Sequence, residues 1–371
     1  IGLFDEFCAH RGISLFFGRV EEGGIRCPYH GWKYNADGQA IDVPSELNNS
    51  EFCKNVKLRS YPLVKVGDIY WTYMGEPSKQ PPLPRWEFAT VPEKQTFTSK
   101  RFQENNWLQA LEGGIDSSHV TWLHGGGPSG KGLESDPLFQ GAKGNEYNKN
   151  DLKPFFEVAE NEGGLLIGAR RNAEEGHYYW RVTPWVLPNF TMVPPRGDHP
   201  VHGHFWVPID DENCWSWSFD YHPTRELTET EVENMKAGAG VHSENIPGTY
   251  LPVANKENDY LIDRQAQKEG RLMSGVKGIA IQDSSLQESM GPIVDRTKER
   301  LVATDAGIIK ARQKLRRAAE TLRDKDQEPV GNVPEHQEIR SVAIVLPKDV
   351  PFREGIGEAF TAEPGKPHTS V

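Results

Sequence analysis

The chain has 371 residues, more than one average domain needs, so length alone points to two domains. Its 42 basic and 53 acidic residues give a formal net charge of −11, the wrong sign for a surface that grips phosphates or anionic lipid, and this excludes nucleic acid as an expected partner. No apolar run approaches the roughly 18–20 residues of a membrane span, and an excess of Gly (36) and Pro (27) excludes a long helical bundle in favour of short strands and turns.

The opening residues, Ile1-Gly-Leu-Phe-Asp-Glu-Phe-Cys8, carry neither Met nor the basic and apolar regions of a secretion signal. They read as a strand already under way, with an N-terminal segment expected ahead of them. Four cysteines, two of them in a metal-like spacing, favour a reducing compartment, and the cytoplasm is the expected location. Residues 13–20, 24–27 and 68–73 have strand character and are separated by turns such as Ala36-Asp37-Gly38, which predicts a small β-rich domain. Pro77, Pro81, Pro82 and Pro84 then interrupt any helix or central strand, so the domains are placed at 1–84 and 85–371. Residues 105–123 read as a helix with a built-in weak point at Gly113-Gly114, ended by Gly125-Gly126-Gly127. Strands follow at 165–169, 178–183, Phe190–Val193, 202–207 and 215–221. The last two flank a hairpin turn at Asp210-Asp211-Glu212-Asn213, so the sheet is antiparallel and the class α+β. After an irregular stretch at 241–258, Asp305 opens a helix with Ile308, Ile309, Leu315, Ala319 and Leu322 near helical spacing. Lys310, Arg312, Lys314, Arg316 and Arg317 on it read as a solvated face.

Two Cys/His pairs stand out: Cys8-Ala-His10-Arg-Gly12 and Cys27-Pro-Tyr-His30-Gly-Trp32, with sixteen residues between His10 and Cys27. A Cys2His2 zinc site and a Rieske cluster, in which two thiolates hold one iron and two imidazoles the other, both use these residue types. The flanking glycines favour the cluster, because its bridging sulfides need backbone N–H donors close by, and Gly12 and Gly31 let the main chain fold over them. The arrangement resembles the Rieske [2Fe–2S] motif at each diagnostic position. Cys53 and Cys214 fit no motif and read as ordinary buried thiols.

A second constellation is Asp116-Ser-Ser-His119-Val-Thr-Trp-Leu-His124. Five residues of ideal α-helix turn two side chains about 140° apart, so the chain must loosen, by a π-type turn or a break near Gly125, for His119 and His124 to meet on one ion. Two histidines and a carboxylate on one face of Fe(II) leave positions open for O2. The carboxylate comes from elsewhere, and Asp259, Asp263, Asp283, Glu288 and Asp295 all remain open by spacing. Asp283 also reads as the N-cap of a helix.

The strings Asn106-Trp-Leu-Gln-Ala-Leu-Glu-Gly-Gly-Ile-Asp-Ser-Ser-His119, Asn258-Asp-Tyr-Leu-Ile-Asp-Arg264 and Ile281-Gln-Asp-Ser-Ser-Leu-Gln-Glu-Ser-Met-Gly-Pro-Ile-Val-Asp-Arg296 resemble the phthalate dioxygenase group of Rieske ring-hydroxylating oxygenases. The resemblance implies that Cys8, His10, Cys27 and His30 hold the cluster, that His119, His124 and Asp283 hold the mononuclear iron, and that Asp116 links the two centres. It also implies a helix-grip (START-like) catalytic domain with an antiparallel sheet, subunits arranged head to tail in trimers or stacked trimers, and a separate reductase that delivers electrons from NAD(P)H. With O2 as co-substrate, the products would be a cis-dihydrodiol or a hydroxylated or dealkylated aromatic compound.

An aromatic carboxylate bound by an acidic protein needs a local cation, and Arg181 between Trp180 and Trp185 is the first candidate, Arg170 the second. Trp185, Phe190, Trp206 and Trp217 read as sheet core, and His202 and His204 as strand-face residues. Two further readings are a Rieske electron-transfer protein with a non-catalytic small-molecule-binding domain and a zinc-binding interaction module.

Overall fold

Short, turn-bounded runs in the first quarter of the chain form eight strands: β1 (Leu3–Phe4), β2 (Arg19–Glu21), β3 (Gly24–Arg26), β4 (Lys33–Tyr34), β5 (Ala40–Asp42), β6 (Ser60–Tyr61), β7 (Leu63–Val66) and β8 (Ile69–Thr72). The computed structural model describes residues 1–129 and 132–371 and divides into two compact units, Ile1–Pro81 and Pro82–Val371. In the first unit β2-β3-β4-β5 make an antiparallel sheet, while β1 pairs with β6 and β7 with β8. The core gathers Cys8, Leu15, Cys27, Trp32, Tyr34, Ala40, Val43, Cys53 and Leu58. The strand expected at 13–20 is replaced by a 3-10 turn, Leu15–Phe17, before β2, because the Ser14 hydroxyl accepts the Phe16 N–H and caps the turn.

The second unit is built on one sheet of eight strands: β9 (Thr96–Gln103), β10 (Phe155–Glu160), β11 (Gly164–Asn172), β12 (His177–Val186), β13 (Phe190–Val193), β14 (Val201–Pro208), β15 (Cys214–Tyr221) and β16 (Val342–Pro347). The order is β10-β11-β12-β13-β14-β15-β9, with β16 beside β12, and every pairing is antiparallel. Side chains alternate between faces, so register decides what each face carries. On one face Phe190, Phe205 and Phe219 join Trp86 and Phe88 in an aromatic layer. The opposite face is divided. At one end Leu165, Ile167, Trp185 and Trp206 pack with Ala110, Leu111, Ile115 and Ala311 from helices laid across the sheet. At the other end the same face carries Arg171, Arg181, His202, His204 and Asp220, all buried.

Two helices cover that apolar end. The first, Trp107–Gly114, is capped by the Asn106 side chain on the Leu108 N–H and stops at the glycine pair. A methyl group on Gly114 would lie 3.0 Å from Thr191 Oγ1 and Trp206 Nε1, so the pair permits close packing on the sheet as well as ending the helix. The second, Ala306–Lys325, begins after Asp305 and lays Ile308, Ala311 and Leu315 on the core. Its charges are not a uniform solvated face. Arg312 donates to both Glu112 carboxylate oxygens, at 2.6 and 2.8 Å, and to Glu299, and Lys314 reaches Glu160 at 3.0 Å. No helix among the described residues is long and apolar enough to cross a membrane.

Candidate functional site

The two Cys/His loops of the first unit close in the same way. The Cys8 N–H donates to the Ile13 carbonyl (2.9 Å) and the Gly12 N–H returns to the Cys8 carbonyl (2.9 Å). The Cys27 N–H likewise donates to Trp32 (2.8 Å) and the Gly31 N–H to Cys27 (3.0 Å). Gly12 (φ 71°) and Gly31 (φ 78°) take the left-handed corner that such a loop demands and that other residues resist. Both thiols are buried, both imidazoles are exposed, and the Nδ1 atoms of His10 and His30 lie 3.1 Å apart. The buried Tyr34 hydroxyl accepts the Ala9 N–H and sits 3.2 Å from Cys8 Sγ, fixing that sulfur. Two sulfur donors inside and two nitrogen donors outside fit a cluster whose two irons are held differently.

In the second unit the chain leaves the Trp107–Gly114 helix, turns, and re-enters a π-helix over Val120–His124 with His119 at its start. The wider turn offsets the divergence an α-helix would impose, and His119 Nε2 and His124 Nε2 come to 3.1 Å. Asp283 arrives from the Ile279–Ser289 helix, its Oδ1 3.4 Å from His119 Nε2 and 3.1 Å from His124 Nε2. It lies inside that helix, whose N-cap is Gly278, so the N-cap reading does not hold. The other acidic candidates are engaged elsewhere. Asp263 accepts the Ala266 N–H, Asp295 accepts the Thr297 N–H, and Glu288 accepts the Tyr260 hydroxyl and the Glu104 N–H. Asp259 sits in a left-handed turn (φ 51°).

Outside the three converging atoms, each imidazole has an acceptor at its Nδ1. Asp116 Oδ2 lies 3.4 Å from His119 Nδ1 while its Oδ1 takes the Ser118 N–H at 2.6 Å. Gln282 Oε1 accepts from His124 Nδ1 at 2.8 Å, and its amide is oriented by donating to the Val276 carbonyl. Sequence reasoning missed Gln282, although it precedes Asp283 directly. Both rings are thereby oriented with Nε2 toward Asp283, where a bound metal would take the nitrogen lone pairs, as in metal-binding histidines. The field has the matching sign. Burial alone would lower the His119 pKa, yet Asp116 and Asp283 push it up to about 10. Burial would raise Asp283, yet His124 and His119 hold it well below the usual carboxylate range. A site that draws a positive charge inward and offers two nitrogens and one oxygen fits Fe(II) bound on one face.

These groups line a cavity together with Arg181, Arg196, His202 and His204. Arg181 Nε reaches Ser117 Oγ at 3.3 Å, and its Nη1 has no partner among the described residues. Arg196 donates to Asn145 and leaves Nε unpartnered. Arg171, behind Arg181 on the same sheet face, donates to the Ser117 carbonyl (3.0 Å) and Thr121 Oγ1 (2.8 Å), pinning the loop that carries His119. Among the described residues none of these three cations meets a carboxylate within ion-pair distance. Burial and mutual repulsion bring Arg171 down to about 10 and Arg196 to about 9. Arg170 is a correction. It points away, stacking on Phe155 and Tyr178 near Glu157, and does not line the cavity. His202 and His204, expected as plain strand-face residues, and Trp206, expected as core, also face the cavity, while Trp185 and Phe190 are core.

Two family models match the chain, the Rieske [2Fe-2S] domain over residues 1–62 and the LigXa C-terminal domain like family over residues 72–366. The chain is 36% identical to the oxygenase subunit of 3-chlorobenzoate-3,4-dioxygenase from Comamonas testosteroni, across 86% of this chain and 74% of that one. It is 32% identical to the phthalate 4,5-dioxygenase oxygenase subunit of Pseudomonas putida, across 84% and 71%. In fold it is similar to dicamba monooxygenase bound to dicamba, with a TM-score of 0.54 at 14% identity over 85% of each chain. With a two-iron donor set in one unit, a mononuclear iron donor set in the other and these matches across both, the chain belongs to the Rieske non-haem iron oxygenases, as an oxygenase component that activates O2 with electrons from a separate reductase.

Proposed function

We propose that this oxygenase hydroxylates an aromatic carboxylate, holding the acid on Arg181 and Arg196 beside the iron. The observation that carries this reading is the pair of buried guanidinium groups with unpartnered nitrogens in the cavity that His119, His124 and Asp283 also line. Buried cations without counter-charge are costly, and a ligand carboxylate satisfies them with planar, bidentate hydrogen bonds. The names of the 3-chlorobenzoate and phthalate relatives point to the same substrate class.

In this reading Cys8, Cys27, His10 and His30 hold the Rieske cluster, and His119, His124 and Asp283 the iron, in a Rieske domain of residues 1–84 and a catalytic domain of residues 85–371. When bound, the iron supplies the site for O2 reduction and the cluster stores the electron that the reductase delivers. The chain's own part is positional. Gln282 and Asp116 keep the two imidazoles in the tautomer that faces the metal, Arg171 pins the loop between them, and Arg181 with Arg196 fixes the ring by its carboxylate. The exposed edge formed by His10 and His30 suits electron delivery to a neighbouring subunit's Asp116 within a trimer, and the cytoplasm suits both the free thiols and the reductase.

The test is calorimetric binding of benzoate to the iron-loaded protein and to Arg181→Met. Removing one partner of a buried ion pair costs about 3 to 5 kcal/mol, so the variant should lose measurable affinity for the acid. Equal affinity in the two proteins would return Arg181 to a structural role.

A further inference from the structure

Beyond the two arginines, the cavity presents a hydrogen-bond acceptor that no group among the described residues uses. His202 and His204 lie on the cavity face of β14, both buried, and among the described residues His202 Nε2 and His204 Nδ1 have no hydrogen-bond partner. The tautomer of His202 follows from its other edge. Its Nδ1 is 3.3 Å from the Pro200 carbonyl, which can only accept, so Nδ1 carries the hydrogen and Nε2 is left as a lone pair. Asp220 Oδ1, on a carboxyl that burial pushes up to about 8, stands 3.8 Å away, beyond hydrogen-bond reach. Asp220 is itself held by His242 Nε2 at 2.7 Å, and His242 Nδ1 by Ser99 Oγ at 2.7 Å, so this arrangement is braced from behind. Burial first, and the nearby charges of Arg196 and Arg181, hold His202 down to about 4 against the pull of Asp220, which keeps the ring neutral at pH 7.

We propose that His202 is a specificity-determining residue whose Nε2 accepts a hydrogen bond from a hydroxyl on the substrate ring, so that this enzyme's preferred substrates are hydroxy-substituted aromatic acids. The inference rests on the carboxylate reading above, since Arg181 and Arg196 fix the ring that carries the hydroxyl. It also separates substrates within the acid class. A second carboxylate at that end would meet a lone pair, and a chloro or methoxy substituent has no hydrogen to donate. A site with a buried acceptor penalises ligands that leave it unpaired.

The experiment measures affinity by calorimetry, without turnover, on the iron-loaded wild-type protein. The probes are benzoate, 3- and 4-hydroxybenzoate, and the two matching methoxybenzoates. At least one hydroxybenzoate should bind about tenfold more tightly than benzoate and than its own methyl ether. In His202→Phe that ratio should fall to near one, and His202→Gln, which keeps an acceptor, should recover part of it. The wild-type comparison stands by itself should the Phe variant fail to fold. Hydroxybenzoates within twofold of benzoate, or a preference that survives in His202→Phe, would overturn the role of His202 while leaving the carboxylate reading intact. If none of the acids binds, the carboxylate reading falls and takes this inference with it.

Discussion

At Asp283 three lines of physical chemistry meet: a carboxylate inside a helix, two imidazole nitrogens 3.1 and 3.4 Å away, and no competing hydrogen-bond donor of its own among the described contacts. Asp283→Ala should therefore lose the mononuclear iron, read by metal analysis, and keep the electron-spin signal of the reduced cluster. Full iron content would send the search for the carboxylate elsewhere. Gln282→Leu leaves His124 Nδ1 without its acceptor, and iron affinity should drop about 10- to 100-fold in a chelator competition. Asp116→Asn, nearly isosteric, should retain both metal centres yet slow reoxidation of the reduced cluster by O2 when substrate is present, because the charged acceptor at His119 Nδ1 is gone. A wild-type rate in stopped flow would make Asp116 a structural residue only. The cysteine and histidine donors were legible because residue type and short spacing specify them together. The third ligand was not legible by spacing, because Asp283 lies more than 150 residues along the chain and packing between helices decides which of five acids arrives; only the family resemblance pointed to it. Arg196, His202 and Gln282 gave no local signal, since their role depends on which sheet or helix face is enclosed.

Five of the eight strands of the second unit, β11–β15, lie within a residue or a few of the runs expected from the sequence, whereas β9, β10 and β16 were not marked as strands. What alternation did not reveal is that the cavity face of β11, β12 and β14 changes from apolar to polar along its length. That change seats the Trp107–Gly114 helix at one end and the cavity at the other. The loosened turn between His119 and His124 was deducible from helical geometry, and it is the π-helix Val120–His124. The basic stripe of the Ala306–Lys325 helix is solvated as expected at Lys310, Arg316 and Arg317 but not at Arg312 and Lys314, because a charge pattern does not disclose its partners. Arg312, about four-fifths buried, clamps Glu112 of the neighbouring helix. Arg312→Ala should destabilise the second unit by about 1.5 to 3 kcal/mol in urea denaturation, whereas Arg316→Ala, mostly exposed, should change it by less than about 0.5 kcal/mol. Equal effects would mean that the clamp adds nothing.

Across the whole chain, an acidic protein gathers three buried arginines, Arg171, Arg181 and Arg196, and lines with two of them the cavity that His119, His124 and Asp283 share. In the proposed function the local cations would select a small anion, a task that the net charge of −11 does not perform. Two compact units divide the work by donor chemistry, sulfur and nitrogen in Ile1–Pro81, nitrogen and carboxylate oxygen in Pro82–Val371. The proline-rich boundary was visible in the sequence because proline removes donors and restricts the residue before it. In the proposed function, electrons held by the first donor set are used at the second to oxygenate an aromatic acid. A single turnover is the decisive experiment. Protein reduced chemically at the cluster, loaded with iron and a bound aromatic acid, is mixed with isotopically labelled O2, and the products are read by mass. Cluster oxidation together with labelled oxygen in the acid is expected, with neither product nor rapid reoxidation in Asp283→Ala. Reoxidation of the wild-type cluster without any labelled product across the panel of acids would contradict this function.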